Sequence, residues 1–332
     1  MNEYRDASAE LGASEFHKAT GIAATQRKTE LEFQKKYVDP ISGKIHSHLV
    51  SSRNCPVCGA DDGSVAFVKN GFNHVLCKCG MVYVPDLLKT EHLNLIYSGG
   101  ELEKETHDAF RAEPRRTFIC EIYKAGLDLI EKVAPDSREC LDVGCSSGLF
   151  IEYAQDRGYV AKGIEPSDYA VEYARSLGLN IIKAYFTADL MGDQKFSLVT
   201  LWDVLEHCDD PRAMLIDIHT ILGPDGIVFI QVPNVAAIAP RMMRERCNMF
   251  NGYAHINLFN PDTLRQLLMD CGFQEPVFKS VISEISVVNN YLNYQDPYFG
   301  TSTGKEQVLG CIDPEYIESN LLGYKLQVVA KR

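Results

Sequence analysis

Short apolar runs alternate with helical patterns between residues 115 and 232, and this alternation constrains the fold more than any other feature. Strands are predicted at Cys140–Val143, Tyr159–Ile164, Asn180–Lys183, Ser197–Leu201 and Ile227–Val232. Helices are predicted between them at Leu149–Arg157, Ser167–Leu177 and Pro211–Leu222. Strands that are joined by crossover helices run parallel. The pattern therefore predicts a three-layer α/β domain.

Two further strands are predicted near the end of the chain, in EPVFKSVISEISVV and LLGYKLQVVAKR. Both segments are long enough to pair antiparallel with each other. Upstream of the α/β pattern, we expect a flexible or loosely docked arm at 1–50 and a small cysteine-rich unit at 51–85. A connector is expected at 86–114, with a short helix in DLLKTEHLNLIYSGG, and the α/β domain at 115–332.

The bulk composition excludes several classes of protein. The chain has 332 residues, of which 45% are hydrophobic, which is enough for one large core and a small accessory unit. The net charge of −12 argues against a nucleic-acid partner, because phosphate binding needs a concentrated positive surface. The sequence contains neither an apolar stretch of about 20 residues nor the apolar core of a signal peptide. We expect a soluble, cytoplasmic protein that does not bind membranes, and the sequence does not predict its oligomeric state.

Four of the 11 cysteines lie close together, as Cys55, Cys58, Cys77 and Cys79. An odd number of cysteines without a secretion signal argues against a disulfide framework. Two close pairs of thiolates on glycine-containing turns favour a structural, tetrahedral zinc site. The second pair has an unusually short spacing, so His74 replacing one thiol and a unit without metal are the open alternatives.

The segment ECLDVGCSSGLF places Asp142, Gly144 and Gly148 between the first predicted strand and its helix. Open parallel sheets bind ligands at this point, and glycine lets a ligand approach the backbone. The spacing lacks the middle glycine of the G-x-G-x-x-G pattern that accommodates a pyrophosphate. Glu165, after the next strand, can accept hydrogen bonds from both hydroxyls of a ribose. A nucleoside with an amino-acid tail fits this pattern, and a plain tight turn is the alternative.

Five segments in order, LDVGCSSG, GIEPSDYA, FSLVTLWDVLEH, LGPDGIVFIQVPN and HINLFNPDTLRQLLMDCGF, resemble the class I S-adenosylmethionine-dependent methyltransferases. The resemblance covers residues 115–332. It implies an α/β fold with a Rossmann-like seven-stranded sheet, parallel with an antiparallel last hairpin, preceded by the small zinc-binding unit. The family usually has glycine where this chain has Ser146. It often has an acidic residue that reaches the adenine. In this chain either Asp189 takes that role, or the adenine is held only by apolar contacts and the backbone.

The same resemblance implies which residues hold the S-adenosylmethionine. Asp142 and the backbone around Gly144, Cys145 and Gly148 are expected to border the methionine part. Glu165, Pro166 and Ser167 are expected at the ribose, and Trp202 and Asp203 are expected near the sulfonium. The expected cofactor-binding residues are Asp142, Gly144, Cys145, Gly148, Glu165, Pro166, Ser167, Trp202 and Asp203. The alternatives are a surface charge for Glu165 and an ordinary core residue for Trp202.

Two histidines are candidates for a catalytic general base, which methyl transfer needs only when the acceptor is a hydroxyl or a carbon acid. His207 follows the fourth strand and His255 follows the fifth, and both are expected near the pocket mouth. In the alternative interpretation, His207 fixes its loop through a carbonyl group. His255 would then orient the next helix, where Asn260 is a predicted N-cap before Pro261.

A zinc unit followed by this domain resembles bacterial methyltransferases of deoxysugar and surface-polysaccharide pathways. The resemblance implies a small polar acceptor, with a sugar or sugar nucleotide expected first. O-methylation is slightly favoured over C- or N-methylation, because two candidate bases are present. The alternatives are a non-catalytic S-adenosylmethionine-binding module that uses the zinc unit for partner docking, and a dinucleotide oxidoreductase, which the missing glycine disfavours.

Overall fold

The structure is a computed structural model that describes residues 22–89, 92, 104, 108, 111–113, 115–134, 136, 138–281 and 314–332. The strands are β1 (Val50–Ser52), β2 (Ser64–Lys69), β3 (Phe72–Leu76), β4 (Val82–Tyr83), β5 (Asp86–Leu88), β6 (Glu139–Val143), β7 (Val160–Glu165), β8 (Ile181–Lys183), β9 (Phe196–Trp202), β10 (Leu222–Pro233), β11 (Asn257–Leu258), β12 (Val277–Val281) and β13 (Lys325–Lys331). The α-helices are α1 (Ile22–Tyr37), α2 (Arg115–Val133), α3 (Leu149–Asp156), α4 (Asp168–Ser176), α5 (Pro211–Ile221), α6 (Ile238–Met243), α7 (Pro261–Asp270) and α8 (Pro314–Ser319).

The main sheet has seven strands in the order β12-β13-β10-β9-β6-β7-β8. Five adjacent strands, β10, β9, β6, β7 and β8, run parallel to one another. The strand β13 runs antiparallel to both of its neighbours, β10 and β12. The predicted seven-stranded sheet with its antiparallel last hairpin is therefore confirmed. Because β6 lies between β7 and β9, the chain crosses to both sides of it, and the crevice lies beyond the carboxyl end of β6.

The sheet is covered on both faces, because successive side chains of its strands point in opposite directions. Leu141 and Val143 of β6 pack in the same buried cluster as Leu215 of α5 and Leu267 of α7. Cys140, which precedes Leu141 and points to the other face, belongs to the opposite cluster, which includes residues of α2, α3 and α4. This arrangement holds the carboxyl ends of β6, β7 and β9 rigidly beside one another.

The cysteine-rich unit shares a sheet with the second half of the chain. This four-stranded antiparallel sheet has the order β11-β4-β3-β2, and β11 pairs Asn257 with Tyr83 and Leu258 with Val82. Met81 and Tyr83 are buried in the same cluster as the main-sheet residue Leu141. The unit is thus packed onto the α/β domain, and the limits predicted at 51–85 and 115–332 stay predictions about domain boundaries.

One sequence-based expectation about the upstream segments fails in the structure. The flexible or loosely docked arm at 1–50 stays a prediction, although Phe33 and Tyr37 of α1 are buried against Phe72 in a cluster with residues of β5. The helix expected from Asp86 begins as a strand instead, because β5 pairs antiparallel with β1. Residues 1–21, 90–91 and 93–103 lie outside the described part of the chain.

Candidate active site

The turn between β6 and α3 has an unusual backbone. Gly144, Ser146 and Gly148 have φ angles of +71°, +50° and +78°. Glycine adopts this left-handed conformation without strain, whereas serine pays a cost. A Cβ on Gly144 would lie 2.7 Å from a methyl group of Val204. The two glycines are therefore required by the backbone conformation and also by packing, because a Cβ on Gly148 would clash with a methyl group of Leu179. The backbone of Ser146 is strained, at the position where the class I methyltransferases that this chain resembles usually have glycine.

Glu165, at the end of β7, is fixed against this turn. Its Oε2 accepts a hydrogen bond from the Ser146 N–H at 2.9 Å, and its Oε1 accepts one from the Ser167 N–H at 3.0 Å. A carboxylate has about four acceptor positions, so it retains capacity for the hydroxyls of a ligand. These contacts do not fit a solvated surface charge. The predicted ribose contact remains a prediction that this geometry accommodates.

The residues that flank Glu165 have local structural roles. Ser167 is the N-cap of α4, where its hydroxyl accepts a hydrogen bond from the Ala170 N–H at 3.2 Å. Cys145 is buried, and burial raises the pKa of its thiol, so the thiol stays protonated. Pro166 is partly buried in the link to α4. Whether Cys145, Pro166 and Ser167 touch a cofactor stays a prediction.

Asp142 is buried near the end of β6, beside the glycine turn. Its Oδ1 accepts a hydrogen bond from the Thr200 hydroxyl on β9 at 2.7 Å. Burial raises the pKa of Asp142 to about 8, because desolvation outweighs this hydrogen bond, and Glu165 adds repulsion. A carboxyl group in this state can receive a cationic ligand group, such as the ammonium of a methionine moiety.

Trp202 ends β9 inside an aromatic cluster. Its ring centroid lies 4.7 Å from that of Tyr123, 4.9 Å from that of Phe150 and 4.4 Å from that of Phe229. Its indole N–H has no hydrogen-bond partner within the described residues. The ring contacts match the core interpretation of Trp202, and its contact with the cofactor remains a prediction.

Asp203 follows Trp202 with a left-handed φ of +57°. Its carboxylate accepts hydrogen bonds from Lys325 Nζ at 2.7 Å and from Gln231 Nε2 at 3.1 Å. The lysine comes from the last strand, β13, so this ion pair ties β9 to β10 and β13 at one end of the sheet. The sequence analysis missed Lys325, since nothing in its neighbourhood distinguishes it from an ordinary surface lysine.

The structure brings the two predicted histidines together, although they are far apart in the chain. Their ring centroids are 4.9 Å apart. His207 Nδ1 donates to the Ala254 carbonyl, and His255 Nδ1 donates to the Met249 carbonyl, both at 3.0 Å. Desolvation lowers the pKa of both imidazoles, to about 4 for His207 and further for His255, where His207 and Lys325 add repulsion. The suggestion that His207 fixes its loop through a carbonyl is confirmed.

Glu206 lies beside this pair and was not among the predicted site residues. Its side chain is fully buried, and neither carboxylate oxygen has a hydrogen-bond partner in the described part of the chain. Burial raises the pKa of Glu206, and the neighbouring Asp203 raises it further. A buried carboxyl group without a partner is costly and is therefore a feature that needs a cause.

Arg53, from the segment before the cysteines, joins the histidine-bearing loops. Its Nη2 donates to the Ile256 carbonyl at 2.9 Å and to Asn257 Oδ1 at 2.8 Å, and its Nη1 donates to the Asp209 carbonyl at 2.8 Å. Asn257 in turn donates to the carbonyl of Leu205. One guanidinium therefore holds the segments that follow His207 and His255.

Arg111 is a second arginine that the sequence analysis missed. It donates to the hydroxyl and carbonyl of Ser147, and to the Glu152 carboxylate at 2.8 Å. Its guanidinium also lies 4.7 Å from the centre of the Tyr173 ring. This residue, from the predicted connector, clamps the glycine turn to α3 and α4.

The four clustered cysteines converge as predicted for a metal site. Cys55 Sγ lies 3.7 Å from Cys79 Sγ, and Cys58 Sγ lies 3.5 Å from Cys77 Sγ, with all four sulfurs within 4.8 Å of one another. Sulfurs bound to zinc at about 2.3 Å in a tetrahedron lie about 3.8 Å apart, so the donors fit zinc. His74 instead stacks on Phe67 in the adjacent sheet, which rules out its role as a replacement ligand.

Two comparisons with known sequences place this architecture. Residues 112–275 match the family model described as a methyltransferase domain, and the strand order is that of the α/β methyltransferase fold. The chain is 31% identical to a ubiquinone biosynthesis O-methyltransferase of Haemophilus ducreyi, over 29% of this chain and 46% of the relative. It is 32% identical to that of Actinobacillus pleuropneumoniae serotype 7, over 32% and 52%. The chain thus spans about half the length of these curated relatives.

Solved structures with a similar fold have low sequence identity. One is an S-adenosylmethionine-dependent methyltransferase, possibly a histamine N-methyltransferase, from Thermotoga maritima (20% identity, 67% of this chain, 96% of the other, TM-score 0.46). Another is the Haloferax volcanii complex of the Trm112 activator with a methyltransferase (17% identity, 68% and 96%, TM-score 0.48). Among the described helices of this chain, none is long and apolar enough to span a bilayer.

Proposed function

We propose that the protein transfers a methyl group from S-adenosylmethionine to a hydroxyl group of a small polar acceptor. The observation that carries this proposal is Glu165, which is held by two backbone N–H groups against the strained glycine turn. A carboxylate fixed at the end of the second parallel strand, β7, suits a ribose, and the turn lacks the middle glycine of the pyrophosphate-binding pattern.

The other end of the cofactor fits the same turn. α3 begins at Gly148 without a side-chain cap, so its first N–H groups suit the methionine carboxylate. Asp142 lies near the end of β6, beside the same turn, and suits the methionine ammonium. In this proposal the sulfonium faces the carboxyl end of β9, near Trp202 and Asp203. The adenine contact stays open, because Asp189 is exposed on a short three-ten helix.

His207 and His255 form the acceptor end of the proposed site. In the transfer step, the acceptor oxygen attacks the methyl carbon in line with the leaving sulfur, so alignment is the main task of the protein. Two neutral imidazoles beside this path favour an acceptor that must lose a proton, which is the reason to prefer O-methylation. The curated relatives are named as O-methyltransferases, which supports the same preference for O-methylation.

The acceptor class is the finer part of the proposal. A sugar or sugar nucleotide follows from the arrangement of a zinc unit before the methyltransferase domain. The curated relatives carry names from ubiquinone biosynthesis, so polyhydroxylated aromatic compounds form the second arm of an acceptor screen. The zinc unit, with four thiolates and therefore no open position, would shape the cleft through β11 and take no part in the chemistry.

The test compares cofactor binding in the wild type with binding in Glu165→Gln, by calorimetry. Loss of the charge on one hydrogen-bonding group is expected to weaken S-adenosylmethionine about 10-fold or more. Glu172→Gln, on the exposed face of α4, is the matched control and is expected to bind like the wild type. Equal affinity of all three proteins would refute the assignment of Glu165. Binding without methyl transfer to either acceptor class would favour a non-catalytic binding module.

A further inference from the structure

Glu206, His207 and His255 converge at one point although they come from two separate segments. His207 and Glu206 belong to the short three-ten helix Leu205–His207, and His255 lies just before β11. Their donor atoms all lie within 4.8 Å of one another, and His207 Nε2 is 3.9 Å from Glu206 Oε1. The Ile256 N–H donates to the Glu206 carbonyl at 2.9 Å, which fixes one segment against the other.

The hydrogen bonds of the two imidazoles determine which nitrogen is available. A backbone carbonyl can only accept, so each Nδ1 that contacts a carbonyl must carry the proton. The Nε2 atoms of His207 and His255 therefore keep their lone pairs. Donation of one ring N–H to a backbone carbonyl is the usual arrangement of histidines that bind a metal through the other nitrogen.

Glu206 supplies an independent observation. Its carboxyl group is fully buried, and both oxygens lack a hydrogen-bond partner within the described residues. The nearby lysine, Lys325, is paired with Asp203 at 2.7 Å and does not bond to Glu206. An ionised group in this position requires a compensating positive charge, which nothing in the described part of the chain places in contact with it.

We propose that Glu206, His207 and His255 together bind one divalent transition-metal ion, distinct from the ion of the four-cysteine site. Two imidazoles and one carboxylate suit zinc, iron(II), cobalt(II) or nickel(II), whereas magnesium and calcium prefer oxygen ligands. Ligands about 2.1 Å from a tetrahedral ion lie about 3.4 Å apart, so the donors move inward by about 1.4 Å at most. Three protein ligands leave positions open for water or for the acceptor.

This inference rests on the proposed function and specifies how the acceptor would be activated. The acceptor hydroxyl would coordinate the cation, and the cation would lower its pKa as it does for bound water. The proton leaves to solvent, and the oxygen forms a bond to the methyl carbon. The carbon–sulfur bond breaks with its electron pair going to sulfur, which gives the methyl ether and S-adenosylhomocysteine. The histidines then act as ligands and do not take the proton themselves.

Cobalt(II) is the probe that separates the two metal sites. Protein treated briefly with EDTA, and shown by elemental analysis to retain one zinc ion per chain, is titrated with cobalt(II) and followed by absorption spectroscopy. Binding to nitrogen and oxygen ligands gives weak visible bands, whereas thiolate ligands add intense charge-transfer bands. We expect one equivalent of cobalt with the first signature. His219→Ala, which removes a histidine on α5 that packs against Phe273, is the control and should match the wild type.

Glu206→Gln and His255→Ala are expected to weaken cobalt binding by more than the ~10–100-fold that loss of an outer-shell partner costs. Glu206→Gln is expected to stay folded, because an amide of nearly the same size replaces a buried carboxyl group that has no hydrogen-bond partner among the described residues, so it keeps the test valid if His255→Ala unfolds. Wild-type protein without the nitrogen–oxygen signature, or a Glu206→Gln protein with unchanged affinity, would overturn the proposal. Calorimetry of S-adenosylmethionine on the same samples reports failure of the proposed function separately.

Discussion

Replacement of Arg53 by methionine is expected to lower the free energy of unfolding by about 3 kcal/mol. Three hydrogen bonds of its guanidinium are partly buried and end on Val84, Ile256 and Asn257, at 3.2, 2.9 and 2.8 Å. At about 1 kcal/mol for each bond, their loss accounts for about 3 kcal/mol. The fourth bond, to the Asp209 carbonyl, is exposed and contributes less.

The same substitution is expected to lower kcat about 100-fold, while the affinity for S-adenosylmethionine stays unchanged. Arg53 holds the backbone next to His207 and His255, and a displacement of about 1 Å at a reacting group can cost this factor. The hydrogen bonds of Arg53 end on Val84, Asp209, Ile256 and Asn257, none of which belongs to the glycine turn, so the cofactor end should be unaffected. Denaturant unfolding, calorimetry of the cofactor and turnover on an acceptor obtained from the screen proposed above measure the three quantities.

Arg212→Met is the matched control for this prediction. Arg212 also links the cysteine-rich unit to the α/β domain, through the Val57 carbonyl at 2.5 Å and Asp270 at 3.0 Å, but it lies away from the histidines. It is about one-third exposed, so its loss should cost about 1 kcal/mol or less and leave kcat unchanged. Equal effects of the two substitutions would refute the special role of Arg53.

Asp142→Asn should become more stable relative to the wild type as the pH rises from about 4 to about 8. In this range the folded wild type retains the proton on Asp142, whereas the unfolded chain releases it. Melting temperatures of both proteins across this range check the sign, and a constant difference between them would contradict the prediction. Gly144→Ala should lower the free energy of unfolding by about 2–4 kcal/mol, because of the positive φ and the contact with Val204. Gly178→Ala, at a φ of +81° with open space around it, should lower it by only about 1 kcal/mol. Thermal unfolding compares the two variants, and equal losses of stability would exclude the packing argument. Cys79→Ser should reduce the zinc content, measured by elemental analysis, from one ion per chain to well below one. Cys120→Ser is the control, and an unchanged zinc content of Cys79→Ser would exclude Cys79 as a ligand.

The α/β domain could be predicted well because its signals are local. Each main-sheet strand was located within a few residues, except that β10 begins earlier, at Leu222. The predicted N-cap at Asn260 is confirmed by a capping box with Thr263 before a helix that starts at Pro261. The glycine turn was identified from spacing, although only the structure shows that Ser146 adopts a left-handed φ.

The amino-acid sequence by itself determined the order of strands and helices, the glycine turn and the four thiols, because periodicity and short spacing express neighbours along the chain. The tertiary structure alone decided that His207 and His255 meet beside the buried Glu206, and that Arg53 reaches Asp209 across 156 positions. Such contacts depend on how β11 pairs with β4, and no local pattern encodes this pairing. The chemistry of the acceptor end therefore arises from packing between distant segments, whereas the cofactor turn is a product of local sequence.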